Sequence, residues 1–232
     1  MADNGAPLIL LTRARAQSER FAEHTKPLAE TRIIPLLEIL PTGEIPPLGG
    51  FSGLIFTSEN AVRLVAEAEA ARGMAAWCVG KRTGQIAAGL GFRAHTAGGT
   101  AEDLVSGIVA AKPAGPLIHL HGRHTRGNIA ARLTSQGIAT AAAEIYDQRA
   151  VRPAQPLARL AQNRPVFVPL FSPRSAVLFS DAIGAPIGDW RPLCLSAAVH
   201  GALPGPLRDR ALVADAPCAN AMLRLMKGNI SP

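Results

Sequence analysis

The chain has 232 residues, 48% of them hydrophobic, which suits one large domain or two small ones with a substantial core. No apolar run approaches the ~18 residues that cross a bilayer. The N-terminus has no signal-peptide pattern. The three scattered cysteines predict a reduced, cytoplasmic protein. The net charge is +7, and most of the basic residues are arginines, which indicates an anionic partner. The arginines are scattered, however, and only 4% of the residues are aromatic, which argues against nucleic acid as that partner. The same arginine and alanine content is also expected from genomic base composition alone, so charge does not decide the partner.

Short apolar runs alternate with amphipathic stretches along the whole chain. This alternation predicts β-α units with parallel sheets, whose strands are continuous apolar runs because both faces are buried. The predicted strands are PLILLTRA (7–14), TRIIPLLEILPT (31–42), GLIFTS (53–58), AAWCVG (75–80), FRAHTA (92–97), PLIHLHG (116–122), TAAAEIYDQRAV (140–151), VFVPLFS (166–172), PLCLSA (192–197) and ALVADA (211–216). The predicted helices lie near 17–30, 59–72, 81–90, 100–111, 127–136, 174–182 and 218–227, with a short helical stretch before ALVADA.

About ten strands are too many for one parallel sheet, so two sheets of about five are expected. The two longest extended stretches, 32–42 and 139–152, are flanked by prolines, which mark linkers and sheet edges. The sequence therefore predicts two domains. The first is discontinuous, 1–37 plus 153–232; the second, 46–147, is inserted into it; and the linkers are 38–45 and 148–152.

Polar turns follow almost every predicted strand. Because helix N-termini at the carboxyl ends of parallel strands attract anions, these turns predict a surface for carboxylates or phosphates. The turns are Thr12-Arg13, Thr57-Ser58, Gly80 to Thr83, Gly98 to Thr100, Gly122-Arg123, Ser172 and Ser196.

Simpler interpretations of these residues remain open. Ser58 and Ser172 are also explained as helix N-caps, worth ~1 kcal/mol each, and no G-x-S-x-G motif supports a nucleophile. Tyr146, in the predicted strand TAAAEIYDQRAV, is explained as well by a packing role as by a role in a site. Gly98 to Thr100 are explained as a plain loop and helix cap, because no phosphate-loop motif is present.

A metal site is a further alternative for one strand. His119, His121 and His124 include alternate strand residues that share a face. No cysteine or acidic ligand accompanies them in the sequence, so a metal site is disfavoured.

Several motifs in order resemble the uroporphyrinogen-III synthase family. They are LLTRA, IFTSENAV, CVGKRTGQIAAGLGF, LIHLHGRHTRGNIAARLTSQG, EIYDQRA and FSPRSAV, and the resemblance runs from about residue 8 to 182 and more weakly to the end. It implies two flavodoxin-like parallel α/β domains, joined by a two-stranded linker, with an active-site cleft between them.

The resemblance also implies the reaction. Hydroxymethylbilane, which carries eight carboxylates, would lose water, form a spiro intermediate and close to uroporphyrinogen III with ring D inverted. No cofactor or metal is implied. The implied partners are the polycarboxylate substrate and a transient contact with the preceding deaminase, with no nucleic acid and no membrane, and the expected state is a monomer.

Carried over by position, the family's cleft tyrosine corresponds to Tyr146, the only tyrosine, expected to act as an acid toward the leaving hydroxyl. The implied substrate-binding residues are Thr12, Arg13, Thr57, Ser58, Gly80, Thr83, Gly122, Arg123 and Ser172.

Two positions depart from the family pattern. Phe171 stands where a threonine usually precedes the second serine, and Ser196 and Val199 stand where a late turn usually has glycine and threonine.

Two other classes of function remain open from the sequence. One is a non-catalytic two-domain binding protein for a small polyanionic ligand, which the missing signal peptide disfavours. The other is a nucleic-acid-binding module, which the pI of about 10.1 favours and the scarce aromatic residues disfavour.

Overall fold

The computed structural model describes residues 5–124 and 127–230, so Thr125 and Arg126 of the LIHLHGRHTRGN motif lie outside it. The strands of the described part are β1 (Leu8–Leu11), β2 (Glu30–Ile33), β3 (Leu37–Pro41), β4 (Gly53–Phe56), β5 (Ala75–Cys78), β6 (Arg93–Thr96), β7 (Leu117–Gly122), β8 (Thr140–Ala150), β9 (Val166–Leu170), β10 (Trp190–Cys194) and β11 (Leu212–Val213). The helices are α1 (Arg15–Thr25), α2 (Glu59–Val65), α3 (Lys81–Gly89), α4 (Ala101–Ala111), α5 (Ile129–Ser135), α6 (Pro173–Ile183), α7 (Ala197–Gly201), α8 (Gly205–Arg208) and α9 (Ala219–Asn229), with short 3-10 turns at Glu69–Ala71 and Leu157–Ala161.

The predicted alternation of strands and helices is confirmed, with two local differences. The extended stretch 31–42 forms two strands, β2 and β3, because Pro35 between them has no N–H to donate. The helix predicted near 59–72 ends earlier, since Ala68 has extended dihedral angles (φ −81°, ψ 120°) and only a 3-10 turn follows it.

Residue contacts divide the chain into two compact units: Met1–Glu38 with Arg149–Pro232, and Ile39–Gln148. The chain passes from one unit to the other within β3 and again within β8, which are neighbours in one sheet.

The first unit contains a five-stranded parallel sheet in the order β2-β1-β9-β10-β11. This is the flavodoxin-like order, which reverses direction between β1 and β9. Alternate residues of β1 pack on opposite faces: Leu8 and Leu10 lie in the core with α6, α7 and α8, whereas Ile9 and Leu11 lie in the core with α1 and α9.

The second unit contains a six-stranded sheet in the order β3-β8-β7-β4-β5-β6, in which adjacent strands from β8 to β6 pair in parallel. Its parallel strands have the order β8-β7-β4-β5-β6. This is the Rossmann order, the other common doubly wound arrangement, and it reverses between β4 and β7. Leu54 and Phe56 pack against α2 and α3, and Ile55 packs against α4 and α5.

The prediction of parallel α/β sheets is confirmed. The prediction that every strand is buried on both faces is wrong for the edge strands β2, β6 and β11, and for much of β8, which lies next to the edge strand β3. Leu212 and Val213 of β11 are each 41% exposed, and β6 is mostly exposed as well. No helix among residues 5–124 and 127–230 combines the length and apolar character that a membrane crossing requires.

Candidate functional site

The polar turns predicted from the sequence all follow the carboxyl ends of strands. Thr12-Arg13 and Ser172 lie after β1 and β9, the strands where the order of the first sheet reverses. Thr57-Ser58 and Gly122-Arg123 lie at the ends of β4 and β7, where the order of the second sheet reverses. Ligands of doubly wound sheets bind at such reversal points, so each unit has one candidate binding site there.

At the reversal point of the first unit, Thr12 is buried (2% exposed), and its hydroxyl has no hydrogen-bond partner among the described residues. The guanidinium carbon of Arg13 lies 4.4 Å from the centre of the Phe171 ring. Ser172 caps α6: its Oγ accepts from the N–H of Ser175 at 3.1 Å, and the Ser175 hydroxyl accepts from the N–H of Ser172 at 3.0 Å. The capping role of Ser172 is therefore confirmed.

At the reversal point of the second unit, Ser58 caps α2 by accepting from the N–H of Asn60 at 3.2 Å. The hydroxyl of Thr57 lies 3.3 Å from Nε2 of His119 on the neighbouring strand β7. Burial, together with the charge of His121, lowers the pKa of His119 to about 4, so this imidazole is neutral at pH 7. Sequence reasoning considered His119 only as a metal ligand and missed its contact with Thr57.

Tyr146 packs against Gly122. A register shift between β7 and β8 pairs His121 with Glu144 and then Gly122 with Tyr146, so that Ile145 is passed over. Tyr146 is 4% exposed, and the N–H of Arg123 donates to its carbonyl oxygen at 2.9 Å. The phenol hydroxyl makes no hydrogen bond within the described part of the chain and is not among the fully enclosed polar atoms, which leaves it able to meet a ligand.

Arg123 lies beside two acidic residues of β8. Its guanidinium donates to Glu144 at 3.1 Å and to Asp147 at 2.9 Å. His124 Nε2 lies 3.6 Å from the other oxygen of Asp147. These acids occupy some of the donors of Arg123, and its role in binding substrate stays a prediction.

The remaining predicted turns lie further along the sheets. Gly80 precedes α3 after β5, and Thr83 is buried in the first turn of that helix. Thr100 forms a reciprocal cap of α4 with Asp103, which confirms the interpretation of Gly98 to Thr100 as a loop and cap. Ser196 precedes α7 without a side-chain cap, and Val199 is buried in the core, so this turn presents few polar groups.

The histidines of β7 do share a face, since the rings of His119 and His121 are 4.8 Å apart. Within residues 5–124 and 127–230, no group of three histidine, cysteine or acidic residues has the arrangement of a metal site.

The fold and these strand ends define a doubly wound α/β protein with polar side chains at the reversal point of each sheet. A family model described as uroporphyrinogen-III synthase HemD matches residues 20–224. The chain belongs to the uroporphyrinogen-III synthase family. It is an enzyme of this type, and its reaction is the cyclisation of hydroxymethylbilane in tetrapyrrole biosynthesis.

Solved structures agree on the fold. Uroporphyrinogen-III synthetase from Helicobacter pylori has a TM-score of 0.64 at 14% identity, covering 95% of this chain and 97% of that one. A mutant uroporphyrinogen III synthase from the extremely thermophilic bacterium Thermus thermophilus has a TM-score of 0.50 at 12% identity, covering 96% and 98%. No curated protein sequence matched the chain.

Proposed function

We propose that this chain closes hydroxymethylbilane to uroporphyrinogen III with inversion of ring D, and that Tyr146 is its acid. The observation that carries the role of Tyr146 is its position: a nearly buried phenol, packed on Gly122 at the reversal point of the second sheet, with a hydroxyl that no described residue engages. The ring is buried, but its hydroxyl is not fully enclosed and has no partner among the residues that the structure describes, so it is available to hydrogen-bond a ligand.

In the proposed reaction, Tyr146 donates a proton to the terminal hydroxymethyl group as that group leaves as water. The resulting azafulvene is an electrophile, and ring D bonds to it through its substituted carbon to form a spiro intermediate. This intermediate fragments and closes again in the inverted sense. The proton lost when the last pyrrole regains aromaticity restores the phenol, so the net change is the loss of one water.

The chemistry needs few side chains, and the main task is to present one ring carbon rather than another. Catalysis by positioning supplies most of that effect. We propose that the substrate carboxylates are held by helix N-termini and side chains at the strand ends. These are Thr12, Arg13 and Ser172 in the first unit, and Thr57, Ser58, Gly80, Thr83 and Gly122 in the second.

We further propose that Arg123 assists binding indirectly. Asp147 and Glu144 flank Tyr146 on β8, and an anionic substrate would be repelled by them. The two ion pairs of Arg123 neutralise much of that charge.

The two compact units are proposed to act as separate domains, 1–37 with 153–232 and 46–147, joined by the linkers 38–45 and 148–152.

We also propose that the chain is a monomer of the cytoplasm and makes a transient contact with the deaminase that supplies the bilane. Burial raises the pKa of the Cys78 and Cys194 thiols to about 12, which suits inert thiols in a reducing compartment. Light scattering on a sizing column tests the monomer.

The test of the reaction uses freshly prepared hydroxymethylbilane and purified, folded protein. The products are oxidised, and the porphyrin isomers are separated chromatographically. Isomer III is expected in excess over a protein-free control, which closes to isomer I. An unchanged yield of isomer I alone would overturn the proposal of ring inversion.

A further inference from the structure

His119 contacts Thr57, one of the proposed substrate-binding residues, from the neighbouring strand β7. Its Nε2 lies 3.3 Å from the Thr57 hydroxyl, and the imidazole ring is 2% exposed. Thr57 is only partly buried, and it directly follows β4 at the reversal point of the second sheet. The contact therefore joins a buried ring to a more accessible hydroxyl at a candidate binding site.

The backbone of His119 is held on both sides. β7 lies between β4 and β8 in the sheet, and His119 is paired with Ile55 on one side and with Ala142 on the other. Thr57, by contrast, lies in the turn between β4 and α2. A side chain on the rigid strand can thus fix the orientation of a side chain in the turn.

The hydrogen bond between these side chains can run in either of two directions. A hydroxyl has one proton and two lone pairs, and a neutral imidazole has one N–H donor and one acceptor nitrogen. Burial lowers the pKa of His119 to about 4, so the ring is neutral at pH 7. If Thr57 donates to Nε2, only lone pairs remain on its oxygen, and these repel a carboxylate. If Nε2–H donates to Thr57, the hydroxyl proton remains free to be donated to a carboxylate.

The other ring nitrogen favours one of these directions. Nδ1 of His119 makes no hydrogen bond to a residue in the ranges 5–124 and 127–230. A proton on Nε2 pairs the single donor of the ring, whereas a proton on Nδ1 would leave an N–H of a buried ring without a protein partner. Among backbone groups, buried N–H donors are left unpaired less often than buried acceptors, and the same preference favours the proton on Nε2.

We infer that His119 is a positioning residue for Thr57: its Nε2–H donates to the Thr57 hydroxyl and so directs the hydroxyl proton toward a carboxylate of the bilane. The imidazole itself does not touch the substrate. It determines that Thr57 meets the substrate as a donor rather than as an acceptor. The inference rests on the proposed binding role of Thr57.

The tautomer of His119 can be measured directly in the natural chain labelled with nitrogen-15 histidine. Long-range proton–nitrogen correlation spectra at pH 7 distinguish an imidazole protonated at Nε2 from one protonated at Nδ1. The signals of His119 are identified as those missing from His119→Gln. We expect the Nε2–H form, and an Nδ1–H form would overturn the inference whatever the activity of the chain.

A double-mutant cycle tests the effect on substrate binding. Thr57→Val removes the hydroxyl at nearly constant shape, His119→Met removes the N–H donor at similar length, and His119→Gln keeps an amide donor. KM and kcat for hydroxymethylbilane are measured for each single variant and for His119→Met combined with Thr57→Val. Thermal denaturation checks that each variant folds.

We expect Thr57→Val to raise KM by about 10-fold or more, the size of a hydrogen bond to a charged group, with kcat changed much less. His119→Met should raise KM by about 3- to 10-fold, because the hydroxyl remains but is free to turn away. His119→Gln should keep KM within about 2-fold of the natural value, since its amide donates in place of Nε2–H. In the Thr57→Val background, His119→Met should have no further effect on KM, because the hydroxyl that it positions is gone.

The outcomes separate the two proposals. An unchanged KM for Thr57→Val overturns the binding role of Thr57 and the inference with it. A raised KM for Thr57→Val, with His119→Met either silent or equally harmful in both backgrounds, overturns the positioning role of His119 alone. If His119→Met does not fold, His119→Leu is subject to the same expectation, and the tautomer measurement does not depend on either variant.

Discussion

The ring of Tyr146 lies so close to the α-carbon of Gly122 that a β-carbon there would come within 2.5 Å of Cε2 and 2.6 Å of Cζ. Both atoms belong to a buried ring, so an added methyl group must displace the tyrosine rather than turn it into solvent. The glycine thus fixes where the phenol sits.

Gly122→Ala is therefore expected to lower turnover by on the order of 100-fold, since a shift of about 1 Å in a catalytic group has an effect of that size. The displacement should also lower the free energy of unfolding by about 1–3 kcal/mol. Initial rates on hydroxymethylbilane and a urea titration measure the two effects.

Gly107→Ala is the matched control. Gly107 is exposed in α4, and a β-carbon there meets no atom within 4 Å. We expect this variant to be more stable by about 0.5–1 kcal/mol and to keep full turnover, because alanine is the better helix former. Equal turnover for Gly122→Ala and Gly107→Ala would remove Tyr146 from the mechanism or show that its ring need not be fixed.

Tyr146→Phe tests the acid itself. The ring contact with Gly122 is kept and no hydrogen bond to a described residue is lost, so stability should change little. Turnover is expected to fall about 100-fold or more, the usual contribution of a positioned acid, with KM within about 2-fold of the natural chain. A rise in KM at constant turnover would instead assign the hydroxyl to substrate binding.

How much of this site the sequence predicts can be judged residue by residue. The strand-to-helix turns at Ser58 and Ser172 are predicted correctly, because apolar runs and capping residues are local signals. The pairing of Gly122 with Tyr146 depends on a register shift between β7 and β8, and no local pattern encodes it.

The sequence also does not predict which residues the charged and polar side chains contact. Arg123 pairs with Glu144 and Asp147, which are 21 and 24 residues away along the chain. His119 meets Thr57 across 62 residues, and its low pKa follows from burial that only the packed sheet creates. Such features come from tertiary packing, so composition and spacing do not reveal them.

Ser58 is expected both to cap α2 and to bind a substrate carboxylate, and substitutions that differ only in charge distinguish these two roles. Asparagine and aspartate are as good N-caps as serine, so Ser58→Asn and Ser58→Asp should both keep the stability of the chain within about 0.5 kcal/mol. Aspartate also interacts favourably with the helix dipole. A substrate carboxylate at the same helix end would be repelled by it, however, and KM should rise about 10-fold relative to Ser58→Asn.

The ratio of KM values between these two isosteric variants is the decisive measurement. If both variants bind the bilane equally well, Ser58 is a cap only and the second unit does not hold a carboxylate at this helix.

Arg123 is expected to act by neutralising its neighbours. Arg123→Ala leaves Glu144 and Asp147 uncompensated beside Tyr146, and KM should rise about 10-fold at low salt, with a smaller rise at high salt because ions screen the repulsion. The triple variant Arg123→Ala, Glu144→Gln, Asp147→Asn removes all three charges together, and its KM should return to within about 3-fold of the natural value. A triple variant as impaired as Arg123→Ala would mean that the guanidinium binds the substrate directly.

His119 predicts a specific pH dependence of stability. Its pKa is about 4 in the folded chain, against 6.5 ordinarily, because the ring is buried and lies beside His121. Between these values the unfolded chain binds a proton that the folded chain does not, so the free energy of unfolding falls as the pH falls. The stability is fully present above about pH 6.5, and up to about 3 kcal/mol is lost by pH 4.

His119→Gln removes this titration while keeping a side chain that can hydrogen-bond to Thr57. Urea titrations at pH 7.5 and at pH 4.5 should therefore show the natural chain losing more stability than His119→Gln between the two conditions. The control is His95→Gln, because His95 is exposed on β6. This substitution is not expected to change the stability lost between pH 7.5 and pH 4.5 by a comparable amount. Parallel losses in the natural chain and in His119→Gln would show that the imidazole is accessible to protons in the folded state, and that its contact with Thr57 does not persist as a neutral pair.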